Sequence, residues 1–164
     1  MVGHEGGRIL VTGALGQIGT DLVQSLRYIY GSDNVIASDI REKKDHPCIQ
    51  NGPYINLDVL DKDRIFKIVV EKKVKIIYHL AAILSAKGEE NPDLCELINV
   101  EGTRNIFEAA REFNLRVFAP SSIAVFGPDT PKNAPQITPL NPTTKYGMTK
   151  VCLLYTSDAA DDTL

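Results

Sequence analysis

A tyrosine and a lysine stand four residues apart in "YGMTK", Tyr146 and Lys150. On a helix that spacing puts both side chains on one face. A phenol is a poor base at neutral pH, because its unperturbed pKa is about 10. An ammonium close by favours the phenolate and makes the tyrosine a usable general base. Upstream, Ser121 and Ser122 follow the run "LRVFAP". A serine hydroxyl there can hold the substrate oxygen. The same spacing also occurs where a solvated helical lysine lies beside a packed tyrosine. The pair therefore needs a context that supplies the rest of the chemistry.

Part of that context is "GALGQIG", with Gly13, Gly16 and Gly19. It follows a short apolar run and opens an amphipathic one, the setting that a dinucleotide fingerprint requires. Gly13 allows the tight turn. Gly16 lets the backbone approach a pyrophosphate, which sits on the positive helix N-terminus. Gly19 allows close helix packing. The spacing is GxxGxxG rather than GxGxxG, and a glycine-rich turn without a ligand is the bland alternative. Asp39 comes twenty positions after Gly19. A carboxylate there hydrogen-bonds the adenosine ribose hydroxyls and repels a 2′-phosphate, which favours NAD over NADP. Arg41 could accept that phosphate, and Asp39 could instead be a helix or turn cap. Asp58-Val59 and Leu80-Ala81-Ala82 close two further apolar runs. Asp58 could accept from the adenine amino group and the alanines leave room for the cofactor, or both could be ordinary capping and packing. A bound positive nicotinamide ring would further favour the Tyr146 phenolate.

These residues must be positioned by regular elements. Arg8 to Thr12, Val35 to Asp39, Tyr54 to Asp58, Val74 to Leu80 and Leu115 to Pro120 read as strands. Between them "DLVQSLRYIY" has helical spacing, Asp61 caps a helix through Lys73, and Asp93 to Phe113 reads as one long helix. Short apolar strands alternating with amphipathic helices indicate a doubly wound α/β fold, a parallel sheet covered on both faces. Five of the nine prolines lie between Pro128 and Pro142, marking a long surface loop, and helix resumes near Thr144.

The chain has 164 residues, 43% hydrophobic and 24% charged, with a net charge of -3. That is ordinary for a globular protein and carries no basic nucleic-acid footprint. No apolar run approaches a membrane span. The N-terminus lacks a signal-peptide core and a transit segment, so a cytoplasmic protein is expected. The three cysteines, Cys48, Cys95 and Cys152, fit a reducing compartment. No Cys/His cluster has metal-ligand spacing, and His79 reads as a structural histidine at a strand end.

Together these elements resemble the extended short-chain dehydrogenase/reductase family, which includes nucleotide-sugar epimerases and dehydratases. The marks are "VTGALGQIG", "SDI", "LDV", "HLAA", "NVEGTRNIFEAA", "SSIAVFG" and "YGMTK". Within the family, "GALGQIGTDL", "AAILSAKGEENPDL" and "APSSIAVFGPDTPKN" are similar to the short-chain type of L-threonine 3-dehydrogenase. The resemblance implies a Rossmann fold and the oxidation of L-threonine by NAD to 2-amino-3-oxobutanoate. It implies Tyr146 as base, Lys150 on the nicotinamide ribose, Ser122 at the catalytic Ser/Thr position supported by Ser121, and Ser85 on the substrate. It implies cofactor contacts from Gly13, Gly16, Gln17, Ile18, Gly19, Asp39, Ile40, Arg41, Asp58, Val59, Leu80, Ala81 and Ala82. It also suggests a homodimer, and a mitochondrial location if the N-terminus is processed.

Family members run to about twice this length, with a substrate lobe and last strands after the YxxxK helix. The expected organisation is an NAD-binding domain over residues 1–151 and a non-family tail over 152–164, where "SDAADDT" is acidic, lacks periodicity and should fray. The Rossmann sheet is then incomplete at its C-terminal end. A nucleotide-sugar epimerase or dehydratase and a non-catalytic NAD-binding fragment remain the competing expectations.

Overall fold

The computed structural model describes residues 7–161, with side chains through Tyr155. The described chain divides into two units, one of residues up to Ala81 plus Asn105–Ala119, the other of Ala82–Arg104 and residues from Pro120 onward.

The first unit is built on a parallel sheet. Its strands are β1 (Arg8–Thr12), β2 (Val35–Asp39), β3 (Tyr54–Asn56), β4 (Val74–His79) and β5 (Arg116–Phe118), in the order β3-β2-β1-β4-β5. Its helices are α1 (Gln17–Tyr30), the short α2 (Pro47–Gln50) and α3 (Lys62–Glu71), with most of α6 (Thr103–Phe113). Strand side chains alternate, and each face has its own core. Leu10, Ile36 and Ile77 pack with Ile65, Ile68 and Val69 of α3 and Ile106 and Ala109 of α6. Ile9, Val11, Val35 and Ala37 pack with Val23 and Leu26 of α1 and Cys48 of α2. A sheet with helices on both faces and this strand order is the doubly wound Rossmann arrangement expected from the sequence.

Local chemistry explains the element ends. Asp61 caps α3 by accepting from the Arg64 N–H at 3.0 Å, as its position predicted. β3 stops at Asn56 rather than Asp58. There the Asp58 carboxylate accepts from the Leu60 N–H at 2.9 Å and turns the chain away. α2 lies where no element was expected; His46 caps it by accepting from the Cys48 N–H at 3.2 Å, with Pro47 at its first position. The buried Arg27 ties this region together, donating to the carbonyls of Val35, Cys48 and Pro53 at 3.3, 2.9 and 2.7 Å.

The second unit contains α4 (Ser85–Glu90), α5 (Pro92–Glu96) and α7 (Lys145–Asp161). Several expectations are corrected here. Helix α4 lies where no element was expected. The single helix over Asp93–Phe113 instead starts at Pro92 and carries a π-helical stretch at Leu97–Gly102. Asn91 sets its start by accepting from the Leu94 N–H at 3.1 Å. In the π-helical stretch the Thr103 hydroxyl back-bonds to the Asn99 carbonyl at 2.7 Å. β5 is shorter than Leu115–Pro120. The helix of the YxxxK pair does not stop at Val151 but runs to Asp161. Neither Gly nor Pro interrupts residues 152–161, Leu153 is buried, and Ala159 and Ala160 are good helix formers. The last expected tail residues, 162–164, lie outside the described residues.

Candidate active site

In the first unit the sequence-predicted cofactor residues lie at and after the carboxyl ends of the strands, where ligands bind in such sheets. β1 runs into Gly13, which has φ +66°. A Cβ there would lie 2.7 Å from both the Ala81 nitrogen and the Leu80 carbonyl carbon, so the exit of β1 lies directly against the exit of β4. Gly16 precedes α1 in extended conformation, and no side chain caps this helix. Its N-terminal dipole end, with Gln17 and the exposed Ile18 in the first turn, is left for an anion. A Cβ on Gly19 would meet the Gly13 carbonyl oxygen at 2.4 Å, so Gly19 allows α1 to pack on the turn. An uncapped helix N-terminus behind a glycine turn is the arrangement that pyrophosphate-binding turns use.

Asp39 ends β2, buried. Its carboxylate accepts from the Leu15 N–H at 3.0 Å, the Arg41 N–H at 3.1 Å and the Arg41 guanidinium at 2.9 and 3.0 Å. Burial alone would raise its pKa; the Arg41 and Leu15 bonds override this and hold it below the ordinary carboxylate value. The same pair raises the Arg41 pKa, chiefly through the side-chain bond. Arg41 thus neutralises Asp39 here rather than standing free for a phosphate. The backbone beneath them is fixed by residues the sequence reading passed over. The Tyr54 hydroxyl donates to the Arg41 and Asp39 carbonyls, and the Asn56 amide to the exposed Ile40 at 2.9 Å. Asp58 is a turn cap, Val59 is buried, and the Val59 carbonyl takes a bond from Asn105 at 3.0 Å. His79 is structural, 2.8 Å from the Thr12 hydroxyl through Nδ1.

The second unit brings the expected catalytic residues onto neighbouring elements. Tyr146 and Lys150 share one face of α7, with the Lys150 Nζ 5.8 Å from the Tyr146 ring centroid. Lys150 donates to the Pro120 carbonyl at 3.2 Å. Burial lowers its pKa, with a smaller opposing effect from Cys95. Ser122 caps the turn Ile123–Val125, accepting from the Ala124 N–H at 3.2 Å. Ser121 is exposed beside it, and Ser85 is exposed at the first position of α4. Ala82 belongs to this unit, not to the sheet.

Several positioning residues were missed. A Cβ on Gly147 would lie 2.3 Å from the Ala124 carbonyl oxygen, so this glycine lets the Tyr146 turn meet the Ser122 turn. Buried Asn99 brackets the loop after the strands, accepting from the Ile83 N–H at 2.8 Å and donating to its carbonyl at 3.0 Å. It also donates to the Thr149 hydroxyl at 3.2 Å, on the helix between Tyr146 and Lys150. The glycine inside "YGMTK" and the asparagine inside "NVEGT" were visible as motif letters, but their partners are distant in sequence. Among the described residues no group of His, Cys, Asp and Glu side chains could hold a metal ion, and no helix is long and apolar enough to cross a membrane.

A glycine turn on a Rossmann sheet in the first unit and a Tyr-Lys pair beside serines in the second are the marks of nucleotide-dependent enzymes of the short-chain type. The pattern of the NAD dependent epimerase/dehydratase family matches residues 9–162, and the chain belongs to that family. An uncharacterised epimerase/dehydratase of Staphylococcus aureus is 52% identical over 145 residues, 88% of this chain and 45% of the relative. A monomeric L-threonine 3-dehydrogenase from a metagenome is 50% identical, with a TM-score of 0.86, over 92% of this chain and 48% of its own. The L-threonine dehydrogenase of Clostridium difficile is 47% identical, with a TM-score of 0.86, over 88% and 46%. The chain spans about half the length of the relatives it matches.

Proposed function

We propose that this chain supplies the NAD-binding and catalytic groups of an L-threonine 3-dehydrogenase. The overall reaction converts L-threonine and NAD to 2-amino-3-oxobutanoate, NADH and a proton. The observation that carries the reading is the Tyr146–Lys150 face of α7 beside the Ser122 turn, in a chain about half identical to threonine dehydrogenases. When bound, NAD supplies the hydride acceptor. The α1 N-terminus and Gly16 would hold its pyrophosphate, and Asp39, once Arg41 moves aside, its adenosine ribose. Ser122 orients the threonine hydroxyl and Tyr146 takes its proton. Lys150 supplies the positive charge that favours the phenolate and binds the nicotinamide ribose. Ser85 touches the substrate.

The second reading is a nucleotide-sugar epimerase or dehydratase, supported by the description of the family and of the Staphylococcus relative. NADH formation with threonine or a UDP-sugar separates the two. Turnover of the sugar alone overturns the threonine reading. If nothing turns over and NAD still raises the melting temperature, the chain is a non-catalytic NAD-binding fragment. A homodimer and a cytoplasmic location complete the proposal. Light scattering and cell fractionation test them, with the monomeric state described for the metagenomic enzyme as the contrary outcome for the first.

A further inference from the structure

The first turn of α7 leaves backbone N–H groups without helical partners. Thr144 takes one of them, accepting from the Gly147 N–H at 3.0 Å. The N–H of Tyr146 itself is taken from far away in sequence. Glu89 of α4 accepts it through Oε1 at 3.3 Å. A carboxylate at a helix N-terminus also meets the positive end of the dipole. A second contact fixes the same place. Gly88 is buried, and a Cβ on it would lie 2.8 Å from the Cys95 Sγ and 3.6 Å from the Tyr146 Cβ. Helix α4 therefore packs tightly on Cys95, with Tyr146 in van der Waals reach. Lys145 is anchored separately, to Glu96 at 2.5 Å.

We propose that Glu89 is a positioning residue for Tyr146, tying α4 to the first turn of the catalytic helix. The inference rests on the reading of Tyr146 as the base. It gives a role to the "KGE" part of the segment that also carries Ser85, so one short helix sets both the base and a substrate contact. Glu89 is exposed and touches neither reacting atom, so its effect runs through the backbone of Tyr146. A general base tolerates little displacement, and about 1 Å can cost about a hundredfold in rate. Losing one of several anchors should cost less, about threefold to tenfold in kcat.

The test uses the full-length protein with Glu89→Ala, Glu89→Lys and Glu89→Gln. Glutamine keeps the acceptor oxygen; alanine and lysine remove it. Amide hydrogen exchange at Tyr146 should be at least about threefold faster in the Ala and Lys variants and near wild type in Gln. In steady-state turnover the Ala and Lys variants should lose kcat while the KM for NAD is unmoved, and Gln should restore kcat. Unchanged Tyr146 exchange in both the Ala and Lys variants overturns the proposal. So does faster exchange with unchanged kcat, or a loss of NAD affinity parallel to that of kcat. Failure of the underlying reading shows differently: Tyr146→Phe then retains turnover while the exchange pattern at Tyr146 still follows Glu89.

Discussion

Two glycines of one turn should fail in different ways when a single methyl group is added to each. At Gly13 the backbone has φ +66°, where a side chain costs about 1–2 kcal/mol. The new Cβ would also stand 2.7 Å from the backbone of Leu80 and Ala81. Neither strand can yield without breaking the β1–β4 pairing that runs from Arg8 to Thr12. Overpacking of this kind adds about 1–3 kcal/mol, so Gly13→Ala should cost about 2–5 kcal/mol in all. At about 2–4 °C per kcal/mol, the melting temperature should fall by about 4–20 °C. Gly16 differs. Its φ is −80°, and a Cβ there meets only the Gly13 carbonyl oxygen, at 3.2 Å. Gly16→Ala should melt within about 3 °C of wild type. The methyl group stands where the pyrophosphate must approach, however, so NAD affinity should drop at least about tenfold. Differential scanning calorimetry and NAD titration of both variants make the comparison. A Gly16→Ala protein that binds NAD as wild type does would refute the assignment of this turn to the pyrophosphate. A Gly13→Ala protein of wild-type stability would refute the packing argument.

Three further outcomes follow from the geometry. Asp39 has a folded pKa below its unfolded value. Its contribution to stability is present above about pH 4 and is lost as pH falls through the folded value. Asp39→Asn should therefore be less stable than wild type at neutral pH, with the gap closing in acid melts. Arg27→Met leaves the carbonyls of Val35, Cys48 and Pro53 without their donor. It should cost about 2–4 kcal/mol by urea titration. Gly147→Ala drives a Cβ to 2.3 Å from the Ala124 carbonyl oxygen and 2.7 Å from the Pro142 Cβ. Turnover should fall at least about tenfold as the Tyr146 and Ser122 turns separate.

What could be read in the sequence is what repeats locally. β1 and β2 have the bounds expected, because each is a short apolar run between punctuating residues. The Asp61 cap, the glycine turn and the carboxylate at the end of β2 were legible for the same reason: each is a residue type at a fixed offset from a strand or helix end. The misses depend on partners remote in the chain. Arg27 looks like one more charge on α1, and only its three carbonyl partners make it a buried staple. Gly88 and Gly147 look like weak points in helices until Cys95 and Ala124 are seen against them. The Asp39–Arg41 pair shows the middle case. Both residues were singled out, but not that the guanidinium would occupy the carboxylate. The continuation of α7 past Val151 was missed because periodicity fades there, while helix propensity does not.

Tyr146 is proposed as the proton-accepting group of an NAD-dependent oxidation of threonine. The direct test is threonine-dependent NADH formation by the full-length protein and its Tyr146→Phe variant, with NAD affinity measured on both. The wild type should turn over, the variant should lose about 10²–10⁴-fold, and NAD affinity should be unchanged. Comparable turnover by the phenylalanine variant, or a wild type that binds NAD and leaves threonine unoxidised, would contradict it.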